Sequence, residues 1–388
     1  MQVYLILLLA VCTAYGAQEF VEGEFFLALK EDATESLLTH RLKTNHRLDI
    51  LKSFHLGNLR LFLVKGNEAD VIRASRLSEV KYWDRNMIFH TQQCAEHSNP
   101  GTWGLDRLDQ REPMTYADPT SPDSTYKYGE DDGAGVNAYI VDSGIDINHG
   151  DFGGRAIWGT AAGNLRPGTD DNGHGTHCAG TVGSDSYGVA KEVTLVAVKV
   201  MNALGSGTTS DIVEGLQWVL TDHNSKPNAK SVINMSLGGA GANAPMENAV
   251  QQLIDGGVTV CIAAGNSNAD ACRFSPARVA DAITVGASGI NDVSASFSNY
   301  GTCLDLFAPG VDILSTVPGD ATDVYDGTSM ATPHVAGVVA RYLSSQSSVP
   351  SPSAVRDYIV NSATPDVLTF RPGHGASPNL LLYASCPM

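Results

Sequence analysis

The sequence predicts a three-layer α/β domain built on a mostly parallel sheet, preceded by a small α+β domain. Two observations carry this expectation. From Trp103 onward, short and nearly continuous apolar runs at Val136–Val141, Thr194–Val200, Ser231–Met235, Thr259–Ala264 and Ala282–Val285 alternate with amphipathic stretches at Asp211–Leu220, Asn243–Asp255 and Ser329–Leu343. Such runs suit strands covered on both faces, and strand–helix alternation gives a parallel sheet with helices on either side. The second observation is a change of composition near Gln93. Gln18–Gln93 is leucine-rich, poor in glycine and neutral, with eleven acidic and eleven basic residues, so the whole net charge of −17 lies after it. Three segments are therefore expected: 1–17, 18–93 and 94–388.

Met1–Ala17 reads as a secretory signal peptide, apolar from Val3 to Cys12 and then small at Ala14, Gly16 and Ala17, although it lacks a basic residue at its start,. Export would place the chain where cysteines pair. The next segment shows apolar alternation at Phe25–Leu29, a helical stretch around Ala33–Asn45, a strand-like run at Asn58–Val64 and a second helix around Asn67–Leu77,. Polar Thr91–Thr102, with Pro100-Gly101, reads as a linker,. In the body, the ligand site is expected beyond the carboxyl ends of the strands. The acidic balance argues against a nucleic-acid partner, which needs a cationic face. No apolar run of about 18 residues follows the first 20 positions, so no membrane span is expected,.

Three segments carry chemistry, each where a strand ends or a helix begins. Asp142 follows Ala138-Tyr139-Ile140-Val141; His174 lies in Asn172-Gly173-His174-Gly175-Thr176-His177; Ser329 lies in Asp326-Gly327-Thr328-Ser329-Met330-Ala331-Thr332-Pro333-His334. Singly, each has a plain reading: a turn-forming Asp, or a Ser that caps a helix. His174 and His177 also stand at the spacing of two zinc ligands on one helix face, but no HExxH and no nearby cysteine pair completes a tetrahedral set,.

Together, in the order Asp, His, Ser, the segments resemble the catalytic segments of the subtilisin-like serine proteases, and most closely the proteinase K branch,. The resemblance runs from Trp103 to about Tyr383 and includes Ala263–Ala271, Ser296–Gly301 and Gly327–Val335. It implies a subtilisin-like three-layer domain in which His174 takes the Ser329 proton during attack and Asp142 holds the imidazole tautomer. Asn266 matches the family's oxyanion-hole asparagine,. Ser236-Leu237-Gly238 and Gly205-Ser206-Gly207 resemble the two edges that pair with an extended peptide. Ala263-Ala264-Gly265 would floor a pocket suited to apolar or aromatic side chains. Thr208-Thr209 departs from a bulkier, aromatic-containing pair in proteinase K. The sequon Asn234-Met235-Ser236 overlaps an edge, so it is expected to be buried and unglycosylated,. Gln18–Gln93, opening with Gly23–Lys30, resembles the family's inhibitory propeptide, with the cut between about His90 and Glu96.

The same resemblance pairs Cys272 with Cys303 and leaves Cys178 a free thiol. Cys261, within an apolar strand, reads as a buried free thiol. Cys94 and Cys386 are open as to pairing. Calcium is implied as a structural cofactor: at Asp305 with the carbonyls of Ala280 and Ala282, and at Asp106, Asp109 and Gln110 with Asp118 as a further ligand, since hard cations take clustered oxygens,.

The expected protein is a secreted monomeric serine endopeptidase made as a self-processing zymogen. It would act on protein and peptide substrates, with its own propeptide as intramolecular inhibitor, and without nucleic-acid or membrane partners. Competing readings are a binding or inhibitor protein on an inactive protease scaffold, and a cysteine protease using Cys178, which would leave Ser329 and Asn266 without roles. A lipase or esterase needs G-x-S-x-G, and Ala331 stands where the second glycine would be,.

Overall fold

The computed structural model describes residues 20–30, 32–56, 58–87, 94–98, 101–114, 125–129, 132–384 and 386; Met1–Ala17, read from the sequence as a signal peptide, and Asp118 lie outside them. The chain divides into two units, Met1–Thr91 and Gln92–Met388.

In the first unit, β1 (Phe20–Leu29), α1 (Glu35–Asn45), β2 (Asp49–Leu56), β3 (Leu59–Lys65), α2 (Glu68–Ala74) and β4 (Val80–Met87) follow in order. The strands form an antiparallel sheet in the order β2-β3-β1-β4. Phe25, Leu27 and Leu29 alternate along β1 and so share a face, burying against Leu38 and Leu42 of α1 and Val71 and Ala74 of α2,. Asn67 starts α2 by accepting the Asp70 N–H at 2.9 Å,. The sequence pattern finds β1, β3 and both helices but misses β2 and β4. Lys52, His55, Asp84 and Arg85 interrupt their apolar signature.

The second unit begins with β5 (Cys94–Ser98), α3 (Trp103–Leu108), β6 (Thr125–Gly129), β7 (Val136–Asp142) and β8 (Ala156–Ala161). It continues with α4 (His174–Gly183), β9 (Thr194–Lys199), α5 (Thr209–Asn224), β10 (Lys230–Met235), β11 (Gly239–Ala240), α6 (Ala244–Asp255), β12 (Thr259–Ala263), β13 (Phe274–Ser275) and β14 (Ile283–Ser288). β15 (Leu306–Pro309), β16 (Ile313–Val317), β17 (Ala321–Tyr325), α7 (Thr328–Ser345), α8 (Pro352–Ser362), β18 (Thr364–Pro365) and β19 (Leu380–Leu381) complete it.

Among the described residues, nine strands form the main sheet in the order β18-β19-β15-β14-β12-β10-β7-β9-β8, parallel except at β18–β19. One face packs on α4, α7 and α8 through Ala179, Val182, Val335, Val339 and Val355. The other packs on α5 and α6 through Ile212, Leu216, Val219, Val250 and Leu253. These are the three predicted layers. The apolar runs correspond to β7, β9, β10, β12 and β14, which lose both faces to helices. Two-residue β18 and β19 are too short to carry a period. Cys94–Cys386 and Cys272–Cys303 are bridged, while Cys178 and Cys261 are free and buried.

Candidate active site

The carboxyl ends of β7 and β12 and the starts of α4 and α7 meet at a cleft of about 510 Å³. Asp142, His174, Ser329 and Asn266 all line it. Asp142 is the last residue of β7 and is 2% exposed. His174 is the first residue of α4, after Gly173 with φ 102°. Its Nδ1–H donates to Asp142 Oδ1 at 2.8 Å and Oδ2 at 3.0 Å. That pairing fixes the tautomer and leaves Nε2 as the basic nitrogen. Burial pulls the His174 pKa down, but the Asp142 carboxylate and then Cys178 outweigh it, so it stands well above the ordinary imidazole value,.

Ser329 is the second residue of α7, which contains Pro333. A proline there has no N–H for the carbonyl four residues earlier. The Ser329 carbonyl is instead used by the Ser236 hydroxyl at 2.8 Å and the Cys178 thiol at 3.4 Å. The Ser329 hydroxyl donates to the Ser236 carbonyl at 3.2 Å. Asn266 is oriented from α7: its Oδ1 accepts the Thr328 N–H at 2.9 Å and the Thr328 hydroxyl at 2.8 Å. With Oδ1 spent, Nδ2 is the polar end left for a ligand. Gly327, at φ 156°, passes so close that a Cβ there would lie 3.3 Å from Asn266 Nδ2. Burial pushes the Cys178 thiol pKa up, which opposes a thiolate nucleophile.

Of the predicted substrate residues, Gly205, Ser236, Leu237, Gly238, Ala263, Ala264 and Gly265 line the cleft. Ser206 and Gly207 do not; they lie exposed beyond Gly205, in a turn closed by Asn202 N–H to Ser206 O at 2.9 Å. Asn234 is fully buried and donates to Ser236 Oγ at 3.0 Å. Sequence reasoning missed Met201, Phe274 and Thr328, which also line the cleft. Pro333 inside a helical run was the available signal for the freed Ser329 carbonyl.

The two implied calcium sets differ. Asp305 Oδ2 accepts the Thr284 N–H at 2.7 Å, and Oδ1 is paired with the Arg356 guanidinium of α8. With both oxygens engaged, one by a cation of the chain itself, Asp305 with Ala280 and Ala282 does not fit a calcium site. This departs from the sequence expectation. In the second set, Asp109 Oδ2 accepts the Lys127 N–H at 2.7 Å and the Gln110 carbonyl accepts an Arg107 N–H at 2.6 Å. Burial, with the Asp106 charge adding to it, lifts the Asp109 pKa to about 6; two crowded carboxylates beside Gln110 are a hard-oxygen donor set that a divalent cation would relieve.

A covered parallel sheet presenting Asp, His and Ser in one cleft defines a serine hydrolase. The Subtilase family model matches residues 133–375, and the chain belongs to that family. It is 39% identical over 361 residues to the subtilisin-like serine protease Pen c 2 of Penicillium citrinum, covering 88% of this chain and 78% of that one. To the extracellular serine proteinase of a Thermus strain it is 51% identical over 291 residues, covering 74% and 66%. A crystal structure of a cold-adapted subtilisin-like serine proteinase superposes with a TM-score of 0.66 at 43% identity, covering 74% of this chain and 98% of that one. The protein is a serine endopeptidase with an Asp-His-Ser triad, and its substrates are proteins and peptides.

Proposed function

We propose that the chain is a secreted zymogen: Met1–Ala17 directs export, Gln18–Gln93 inhibits the peptidase, and the 94–388 body is released when it cuts itself. The alignment with the Penicillium citrinum protease supports the middle step. Its 88% share of the chain exceeds what Gln92–Met388 contains, so it reaches into the amino-terminal unit. The extracellular description of the Thermus relative agrees with export.

The catalytic roles follow from the cleft. Ser329 Oγ turns from the Ser236 carbonyl to His174, gives its proton to Nε2 and bonds to the substrate carbonyl carbon. The oxyanion is held by the Ser329 N–H and by Asn266 Nδ2. The N–H lies in the first turn of α7, where amides lack intrahelical acceptors. His174 then protonates the leaving nitrogen as the C–N bond breaks, and water repeats the cycle to free Ser329. Uncharged Ala263-Ala264-Gly265 favours apolar or aromatic residues before the cut, and backbone pairing with the Gly205 and Ser236–Gly238 edges keeps specificity broad. Calcium at Asp106, Asp109 and Gln110 would act structurally, neutralising charge away from the reacting atoms. The enzyme works as a monomer.

The observation that carries this reading is the two-oxygen grip of Asp142 on His174 in the cleft that also holds Ser329 and Asn266. Ser329→Ala tests it. The variant should accumulate as an uncut precursor and refuse a fluorophosphonate label that wild type takes. Loss of the amino-terminal unit from the purified variant, shown by mass spectrometry without other proteases, would refute self-processing.

A further inference from the structure

Asp170 stands in the loop before α4 and is 7% exposed. Its carboxylate takes five donors. Oδ1 accepts the Ser143 hydroxyl at 2.9 Å, the Asn172 N–H at 3.1 Å and the Gly173 N–H at 2.9 Å. Oδ2 accepts the Thr176 N–H at 2.9 Å and the Thr176 hydroxyl at 2.6 Å. Ser143 directly follows Asp142, and its Oγ also accepts the Gly175 N–H at 2.9 Å. One buried carboxylate is thus bonded to the residue after the triad aspartate and to residues on both sides of the triad histidine.

A helix cap would need only the α4 amides. The bond to Ser143 reaches a different element, and there the two backbones touch: a Cβ at Gly175 would fall 2.1 Å from the Gly144 carbonyl. Bonds to an ionised carboxylate are stronger and shorter than neutral ones. Through Ser143 and Gly175, a shift of Asp170 becomes a shift between Asp142 and His174.

We propose that Asp170 is a positioning residue for catalysis, clamping the end of β7 to the start of α4 so that Asp142 grips His174 through both oxygens. The proposal rests on the triad roles given above. Asp170 touches neither substrate nor the reacting atoms. Other charged and titratable groups surround the pair: Lys199, bonded to the Ser143 carbonyl and to Asp171; Cys178 beneath His174 at 3.9 Å; and His177 stacked on Tyr325 at 4.3 Å. None of these bridges Ser143 to the amides flanking His174.

The test compares Asp170→Asn and Ser143→Ala, expressed as full chains, by kcat, KM and pH profile on a chromogenic peptide and by melting temperature. Misplacement on the order of 1 Å can cost about 10² in rate. Asp170→Asn should therefore lose about 10- to 100-fold in kcat with KM within about threefold. The acid limb of kcat/KM should move to lower pH, because a looser Asp142 raises the His174 pKa less. Ser143→Ala leaves the Asp170 bonds to the Asn172, Gly173 and Thr176 amides in place and removes only the Gly175 acceptor, so it should show the same shift with a smaller fall in melting temperature than Asp170→Asn. A folded Asp170→Asn with reduced melting temperature but wild-type kcat and pH limb overturns the proposal. Should Asp170→Asn fail to fold, an unshifted Ser143→Ala overturns it instead. An active Ser329→Ala would sink the triad roles themselves, an outcome distinct from either.

Discussion

The helices that deliver His174 and Ser329 start alike and are held differently. Both α4 and α7 follow a glycine of positive φ, Gly173 at 102° and Gly327 at 156°, and neither N-cap residue offers a side-chain bond. In each case a side chain outside the helix caps the first turn. For α4 it is the Asp170 carboxylate, with both oxygens consumed by donors, helped by Asn172 Oδ1 at the His174 N–H and Ser143 Oγ at the Gly175 N–H. For α7 it is Asn266, whose Oδ1 is consumed and whose Nδ2 is left over. The fully satisfied cap can only hold; the half-satisfied cap holds and also presents a donor to the cleft. A glycine start lets substrate approach, and the missing cap returns from a distance in a form suited to each helix.

The largest effect expected from breaking the α4 side is in Asp142→Asn, which should lower kcat by about 10⁴-fold because the amide cannot stabilise the cationic imidazole or enforce its tautomer. The raised His174 pKa sets the direction of the pH dependence. Wild-type His174 titrates well above its ordinary value, so activity is lost as pH falls through a midpoint above the usual imidazole range. With the Asp142 charge gone, that midpoint should move down. A rate–pH profile with an unmoved acid limb would contradict the assignment.

The α7 side should lose less, and its two functions should separate. Asn266→Ala removes both the oxyanion donor and the α7 cap, costing about 10²–10³ in kcat and lowering the melting temperature by the loss of a cap worth about 1 kcal/mol. Asn266→Asp keeps an acceptor for Thr328 while removing the donor. It should lose at least as much kcat with most of the melting temperature retained. Parallel loss of stability in both variants would contradict the divided role.

The smallest effect lies away from the cleft. A chelator should lower stability by about 2.7 kcal/mol if calcium had stood at a hundredfold excess over Kd, and the melting temperature with it, without removing a catalytic group. Asp109→Asn should abolish this response and Asp305→Asn should leave it intact, since Arg356 already neutralises Asp305. In chelator, Asp109 is protonated up to about pH 6 in the folded state but nearer pH 4 unfolded,. Its contribution to stability should therefore fall as pH rises across that interval. Calorimetry of wild type and Asp109→Asn across that range is the check.

By itself the sequence determined the layered parallel sheet, through five apolar runs whose double-sided burial leaves no polar phase. It also placed Asp142, His174, Ser329 and Asn266, because the short local motifs around them resemble the family's catalytic segments. The pairing of Cys94 with Cys386 and the edge strands needed the fold, since neither spacing nor periodicity reports on partners so distant in the chain. The same holds for the Arg356–Asp305 ion pair, whose members are 51 residues apart. A resemblance carries over the carboxylate of a cation site but not the arginine that another helix brings to it. Asp170 was legible only as one more acid in a polar loop. Tertiary packing turned it into a clamp, because only there do the end of β7 and the start of α4 come close enough to share one carboxylate.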